Sequence, residues 1–242
     1  MTNSEDLIIG LLGLSGYLGG IIREEVQDLV VFDLGRNMTI QNTKELHLNL
    51  IIDSAFPTRK INKKIRSEYL SALNNNLKIA NEISCRYIYI GSYSSHTKSR
   101  SKYGRLKREA ERLVITKGGI VLRVGLVSDL SNPKGRFADF NQISRRLPFI
   151  PILPNGWCPV FTTTIDEFRF EISRLIRTDR VSAVYEAGVK TNISKLFQEN
   201  NQSGKRCTIP ETVLVLVSFL SRIVPLGRLD FVKSILYKEE RF

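Results

Sequence analysis

Three glycines, Gly13, Gly16 and Gly19, stand between a short apolar run and an amphipathic stretch, and no other feature of the chain restricts its fold as much. The run from Leu7 to Leu12 is almost wholly apolar, the pattern of a strand buried on both faces. After the glycines, Ile21, Ile22 and Val26 fall on one side of a helix, with Arg23, Glu24 and Glu25 on the other. A second apolar run, from Leu29 to Phe32, ends in Asp33. The unit reads strand, turn, helix, strand, which demands a parallel pair joined by a crossover.

In such a unit each glycine has a physical task. Gly13 permits a tight turn, Gly16 lets the backbone approach a pyrophosphate, and Gly19 lets the helix pack close to the strand. With Ser15, Tyr17 and Leu18 they form a turn that opens a helix, whose free N–H groups and positive dipole end suit phosphate oxygens. Asp33 lies 20 residues after Gly13, where a carboxylate would hold a ribose 2′-hydroxyl. A plain strand–turn–helix would explain the glycines alone; the flanking strand, helix and acid favour a dinucleotide. Asp33 would repel a 2′-phosphate and so slightly favours NAD, whereas Arg36 would accommodate NADP.

Further along, Leu48 to Ile52 reads as a strand leading into Asp53-Ser54-Ala55, with room before it for only a short or degenerate crossover. Glu68 to Ile83 and Lys102 to Thr116 read as helices, Tyr87 to Ile90 and Ile120 to Val124 as strands, and Gly118-Gly119 as a helix stop. Strands alternating with helices make this an α/β chain with a Rossmann-type, doubly wound parallel sheet. Ligands then bind at the carboxyl ends of the strands, where Asp33, Ala55, Ser92 and Gly125 fall. Past Ser128, prolines 133, 148, 151, 154 and 159 interrupt the pattern, and helices return near Asp166 to Ile176 and Thr212 to Tyr237. The expected organisation is a dinucleotide-binding core with the catalytic helix over residues 1–128. Residues 129–242 form a smaller, C-terminal substrate-binding part interleaved with the last strands of the core.

Bulk properties exclude several classes. Hydrophobic residues make up 42% and charged residues 25% of 242, ordinary for a soluble globular protein. Cys85, Cys158 and Cys207 are odd in number and widely spaced, so neither a disulfide framework nor a metal site is expected, and a reducing, cytoplasmic setting is. The acidic start (Glu5, Asp6) does not read as a secretory signal, and no apolar run would span a bilayer. The net charge of +12 calls for an anionic partner without choosing one. Basic residues gather at Arg59, Lys60, Lys63, Lys64 and Arg66, and again from Lys98 to Arg112. They would draw in a nucleotide diphosphate, or else form solvated surface. No aromatic–basic motif supports nucleic acid, which ranks last. The stretch from Val213 to Phe242 mixes apolar and basic residues; it either closes the substrate-binding part or rests on an anionic membrane surface.

Tyr103 and Lys107 are four apart on a predicted helix and share a face. A free phenol titrates near 10, but a neighbouring lysine cation stabilises the phenolate and makes it a usable acid or base. Tyr103 would then exchange a proton with a substrate hydroxyl or carbonyl, and Ser92 would donate a hydrogen bond to the same oxygen. A tyrosine and a lysine at this spacing are common on helix surfaces, so the pair gains meaning only from its company.

That company resembles a family. Gly13-Leu14-Ser15-Gly16-Tyr17-Leu18-Gly19, Asp33, Ser92, and the run from Ser101 to Glu111 around Tyr103-Gly104 and Lys107 are similar to the extended branch of the short-chain dehydrogenase/reductase superfamily, the NAD-dependent epimerase/dehydratase family. Leu122-Arg123-Val124-Gly125 and Thr164-Ile165-Asp166-Glu167 resemble that branch's later segments, so the likeness spans roughly residues 7–200. It implies a Ser92-Tyr103-Lys107 site and NAD or NADP held by the glycine turn, Asp33, Arg36, Ala55, Asn74 and Lys107. It also implies a nucleotide-linked sugar as substrate, in surface polysaccharide or deoxysugar biosynthesis, and it leaves room for a homodimer. Asn75 and Asn76 compete with Asn74 for its role.

The departures narrow this further. The interval from Ser92 to Tyr103 is compressed, and Asp53-Ser54-Ala55-Phe56 replaces a more alanine-rich turn. Tyr93-Ser94 stands where sugar 4,6-dehydratases carry an acidic pair, which argues against dehydration and leaves reduction or epimerisation. The shortened loop also motivates an alternative, a dinucleotide-binding sensor or assembly module without turnover. Lone His96, in the loop before Tyr103, reads as a solvated loop residue ahead of a place near substrate, and Trp157 as either a substrate lid or a loop anchor.

Overall fold

The computed structural model describes residues 7–35, 39–57, 61–97, 99, 101–129, 135–154, 157–178, 182–201 and 204–223. Its centre is a parallel sheet built from six strands: β1 (Ile8–Leu12), β2 (Val30–Asp33), β3 (Leu50–Asp53), β4 (Arg86–Ser92), β5 (Ile120–Val124) and β9 (Val184–Ala187), in the order β2-β1-β3-β4-β5-β9. The strands alternate their side chains between two cores. Ile9, Leu11, Leu50, Ile52, Ile88, Ile90, Ile120 and Leu122 face one core, which α1 (Tyr17–Glu25) and α6 (Ile165–Arg177) cover. Ile51, Tyr87, Tyr89 and Val121 face the other, which α3 (Lys63–Glu82) and α4 (Lys102–Thr116) cover. Burial on both faces is why these strands read as unbroken apolar runs, and the doubly wound expectation holds.

The crossover from β2 to β3 carries only α2 (Ile40–Glu45), as the short interval required. Helix α3 begins at Lys63, about a turn and a half before its apolar spacing starts, because the Asn62 side chain accepts the Ile65 N–H at 2.8 Å and caps it.

Two small sheets complete the fold. One orders β10 (Val189–Asn192), β8 (Pro159–Thr164) and β6 (Leu126–Ser128); the other pairs β11 (Lys205–Thr208) with β7 (Phe149–Ile152). Helices α5 (Gly135–Arg146) and α7 (Ile193–Asn200) pack here around Phe137, Phe140, Cys158 and Val160. Trp157 is buried, which fits the anchor reading. Thr163 joins this part to the main sheet: its hydroxyl accepts from Gly125 N–H at 2.8 Å and donates to the Ala187 carbonyl at 2.5 Å. Thr164 caps α6 in a reciprocal box with Glu167, and the chain returns through α6 to β9. The C-terminal helix expected from Thr212 to Tyr237 is seen as α8 (Glu211–Ile223); the remainder of that expectation lies outside the described residues. No helix among the described residues is long and apolar enough to cross a membrane.

Candidate functional site

The strand order reverses beside β1, whose two neighbours are β2 and β3, and crevices form at such switch points beyond the carboxyl ends of the strands. The glycine turn sits there. Gly13 adopts φ +82°, and a Cβ on it would lie 2.6 Å from the Ala55 N. A Cβ on Gly19 would penetrate the Gly13 carbonyl oxygen. Both positions therefore require glycine, one for conformation and for packing on the β3 turn, the other for packing of α1 on its own entry. Gly16 N–H donates to Gly13 O at 2.9 Å and Gly16 is the N-cap of α1, with no side chain capping the helix and no acid in its first turn. Ser15 and Gly16 are exposed. An uncapped helix start opening to solvent fits a phosphate group. Tyr17 and Leu18 form the first turn of α1, half-buried; burial, then the nearby Asp129, raises the Tyr17 phenol above its ordinary range.

Asp33 ends β2 opposite Leu11, exposed, and its carboxylate accepts the Gly35 N–H at 3.0 Å. Leu11 stands two residues before Gly13, so the acid and the glycine turn lie at the same end of the sheet. Arg36 lies outside the described residues.

Across the switch point, the β3 turn is tightly organised. Ser54 Oγ donates to the Leu12 carbonyl at 2.9 Å, and Ala55 N–H donates to Asp53 Oδ1 at 2.9 Å. Asp53 is buried, and the Tyr87 hydroxyl donates to its other oxygen at 2.5 Å. Burial raises the Asp53 carboxyl above the usual carboxylate range, although the bonds from Tyr87 and Ala55 and the charge of Lys107 pull the other way.

Tyr103 and Lys107 lie on α4, which Ser101 caps by accepting the Gly104 N–H at 2.8 Å. Lys107 Nζ donates to the Ile90 carbonyl at 2.7 Å, which ties α4 to β4 two residues before Ser92. The Lys107 ammonium also lies over two rings, Tyr89 at 4.5 Å and Phe56 at 4.7 Å from their centroids. Phe56 meets Tyr103 edge-on at 4.8 Å and Tyr69 at 5.3 Å, and the Tyr69 and Tyr89 hydroxyls share a bond of 2.8 Å. Burial holds the Tyr69, Tyr87 and Tyr89 phenols well above their ordinary range, so they remain neutral around this cation.

Ser92 ends β4 and is buried; its hydroxyl accepts from Ser94 N–H at 3.2 Å. Its backbone N–H donates to Glu111 Oε1 at 3.1 Å. Asn74 is half-buried on α3, and it is its neighbour Asn76 that hydrogen-bonds Tyr87.

The sequence reading missed Phe56 and Glu111 as site groups. Phe56 was visible only as a departure from an alanine-rich turn, and Glu111 as the last residue of the α4 motif. The basic stretch on α4 is not a uniform patch: Lys107 is buried, and Arg108 donates to the His96 carbonyl at 2.8 Å. From the other basic cluster, Arg66 pairs with Glu109 at 2.7 Å.

No family model and no curated protein matches the sequence. Solved structures do match its fold. The dTDP-4-dehydrorhamnose reductase of Bacillus anthracis, in complex with NADP, superposes with a TM-score of 0.63 at 15% identity, over 86% of each chain. The ADP-L-glycero-D-manno-heptose-6-epimerase of Helicobacter pylori does so with a TM-score of 0.62 at 14% identity, over 86% of this chain and 87% of that one. A reductase domain from an aureusimine biosynthetic cluster covers 98% of this chain and 83% of its own, with a TM-score of 0.68 and 14% identity. The chain thus has the α/β fold that its resemblance to the extended short-chain dehydrogenase/reductase branch implied.

Proposed function

We propose that this protein is an NAD(P)-dependent reductase or epimerase of a nucleotide-linked sugar, with Tyr103 as acid and base, Lys107 as the fixed cation beside it and Ser92 as hydrogen-bond donor to the reacting oxygen. One observation carries the reading. Gly13 packs on Ala55, and the adjacent Phe56 packs on both Tyr103 and Lys107, which links the glycine turn to the phenol and the ammonium through two consecutive residues and supports one shared site. The exposed start of α1 would hold the pyrophosphate, Asp33 a ribose hydroxyl and Lys107 the second ribose, near the pair. A bound nicotinamide would supply or accept hydride. The chain's own task is to move the matching proton at the Tyr103 oxygen and to hold the substrate oxygen with Ser92. The carboxylate of Asp33 favours NAD, and no acid follows Ser92 to drive loss of water. A role in surface polysaccharide or deoxysugar biosynthesis, in the cytoplasm, follows from that substrate class.

The test is turnover of a panel of keto-sugar nucleotides with NADH and NADPH, followed by cofactor absorbance. Tyr103→Phe keeps the ring against Phe56 and removes only the hydroxyl; we expect kcat/KM to fall by about 10²–10⁴. Full activity in that variant rules out the acid/base. A second reading, a dinucleotide-binding module without turnover, draws on the burial of Lys107, which is 4% exposed. It expects tight NADH binding, no turnover on any substrate, and indifference to Tyr103→Phe.

A further inference from the structure

Lys107 is buried, with the Phe56 ring over its ammonium. Beside the charge of Asp53, three groups lie against its ammonium: the Ile90 carbonyl, the Tyr89 ring and the Phe56 ring. They differ in freedom. Ile90 belongs to the backbone of β4, paired with Leu122 of β5. Tyr89 is 0% exposed in the core and bonded through its hydroxyl to Tyr69. Phe56 lies in the loop after β3, half-buried, and Pro57 follows it. Of the three, only Phe56 can turn away without unpairing the sheet or opening the core.

We propose that Phe56 is a selectivity residue of the dinucleotide site. Its ring is a cation–π cover on Lys107, and a ligand engages the ammonium only by displacing that ring. The inference rests on the proposed dinucleotide role of the crevice. An aromatic face satisfies an ammonium better than bare apolar surface and less well than two hydroxyl oxygens in hydrogen-bond range. The cover therefore admits a ligand that offers a ribose diol at that point, and it holds Lys107 against apolar or weakly polar groups. It also couples the two halves of the crevice, since the ring that leaves Lys107 also leaves Tyr103, 4.8 Å away. The nicotinamide ribose and the exposure of the Tyr103 edge then arrive together.

The measurement is equilibrium binding of NADH, NADPH and ADP to the wild-type protein, Phe56→Leu and Phe56→Ala, each variant checked by thermal melt. ADP carries the phosphates and one ribose but lacks the second ribose that would reach Lys107. Removing the π face while keeping bulk, as in Phe56→Leu, should tighten NADH or NADPH binding about fivefold, equivalent to about 1 kcal/mol, and leave ADP unchanged. Phe56→Ala should show the same sign. Unchanged or weaker NADH binding in Phe56→Leu overturns the proposal, as does an equal gain for ADP. Failure of NADH, NADPH and ADP to bind any of the three proteins overturns the dinucleotide reading itself, and the proposal with it.

Discussion

Glu111 grips the guanidinium of Arg123 at 2.9 Å directly beneath the end of β4. The same buried carboxylate takes the Ser95 hydroxyl at 2.7 Å and the Ser92 N–H at 3.1 Å, and Arg123 continues to Glu186 on β9 at 3.4 Å. One side chain from α4 thereby sets the backbone of Ser92, the short helical turn after it and the neighbouring strand. The carboxylate is almost fully enclosed, so its charge is tolerable only because all three donors converge on it.

Glu111→Ala removes the acceptor and strands those donors. We expect a loss of about 3 kcal/mol, seen as a melting temperature lower by roughly 6–12 °C for a chain of this size. Glu111→Gln keeps one acceptor oxygen and should lose about half as much. If the network also fixes Ser92, Glu111→Gln lowers kcat more than it raises KM, a split that loss of stability alone does not produce.

Gly19→Ala tests whether the glycine turn holds a dinucleotide. Its Cβ would run into the Gly13 carbonyl, so α1 must shift from its entry. We expect a stability cost of about 1–3 kcal/mol and dinucleotide binding weakened at least about tenfold, read by fluorescence titration with NADH. Binding at wild-type affinity in a folded variant would mean that this turn does not hold the ligand.

The cysteines offer a check on burial that involves no ligand. Burial pushes the thiols of Cys85 and Cys158 up to about 12, while Cys207 lies exposed on β11. A thiol reacts through its thiolate, so maleimide at pH 7.5 should add once per native chain, at Cys207. The other two should react only in denaturant. Rapid labelling of Cys158 without denaturant would contradict the packing of Phe137, Phe140 and Val160 around it.

The main sheet was legible because its signals are local. Strands buried on both faces, the spacing of Gly13, Gly16 and Gly19, and the four-residue step from Tyr103 to Lys107 can each be read in a short window. The start of α3 was missed because Asn62 acts through a cap rather than through apolar spacing. Phe56 over Lys107, and Glu111 under Ser92, were illegible for another reason. Each joins residues far apart in sequence, and their meeting depends on the order β1-β3-β4-β5, which only the folded sheet supplies. The small sheets carry short strands, some of them exposed on both faces like β11, so their period is weak.

Asp53 makes a prediction about pH. Its carboxyl is raised by burial in the folded protein, whereas an aspartate in an unfolded chain titrates at about 3.9. The folded state therefore binds this proton more tightly than the unfolded state does. By linkage, the contribution of Asp53 to stability is largest below the unfolded value and is lost as pH rises through the raised, folded one. Asp53→Asn removes that titration and keeps an oxygen for the Ala55 N–H. Melting temperatures of both proteins from pH 7 down to about pH 4 isolate this contribution, because the other carboxylates are common to both. Relative to Asp53→Asn, the wild-type protein should gain stability as the pH falls across this window. A wild-type protein that instead loses stability relative to Asp53→Asn on acidification would show that the Tyr87 and Ala55 bonds and the Lys107 charge outweigh desolvation, and that Asp53 stands as a buried partner of Lys107.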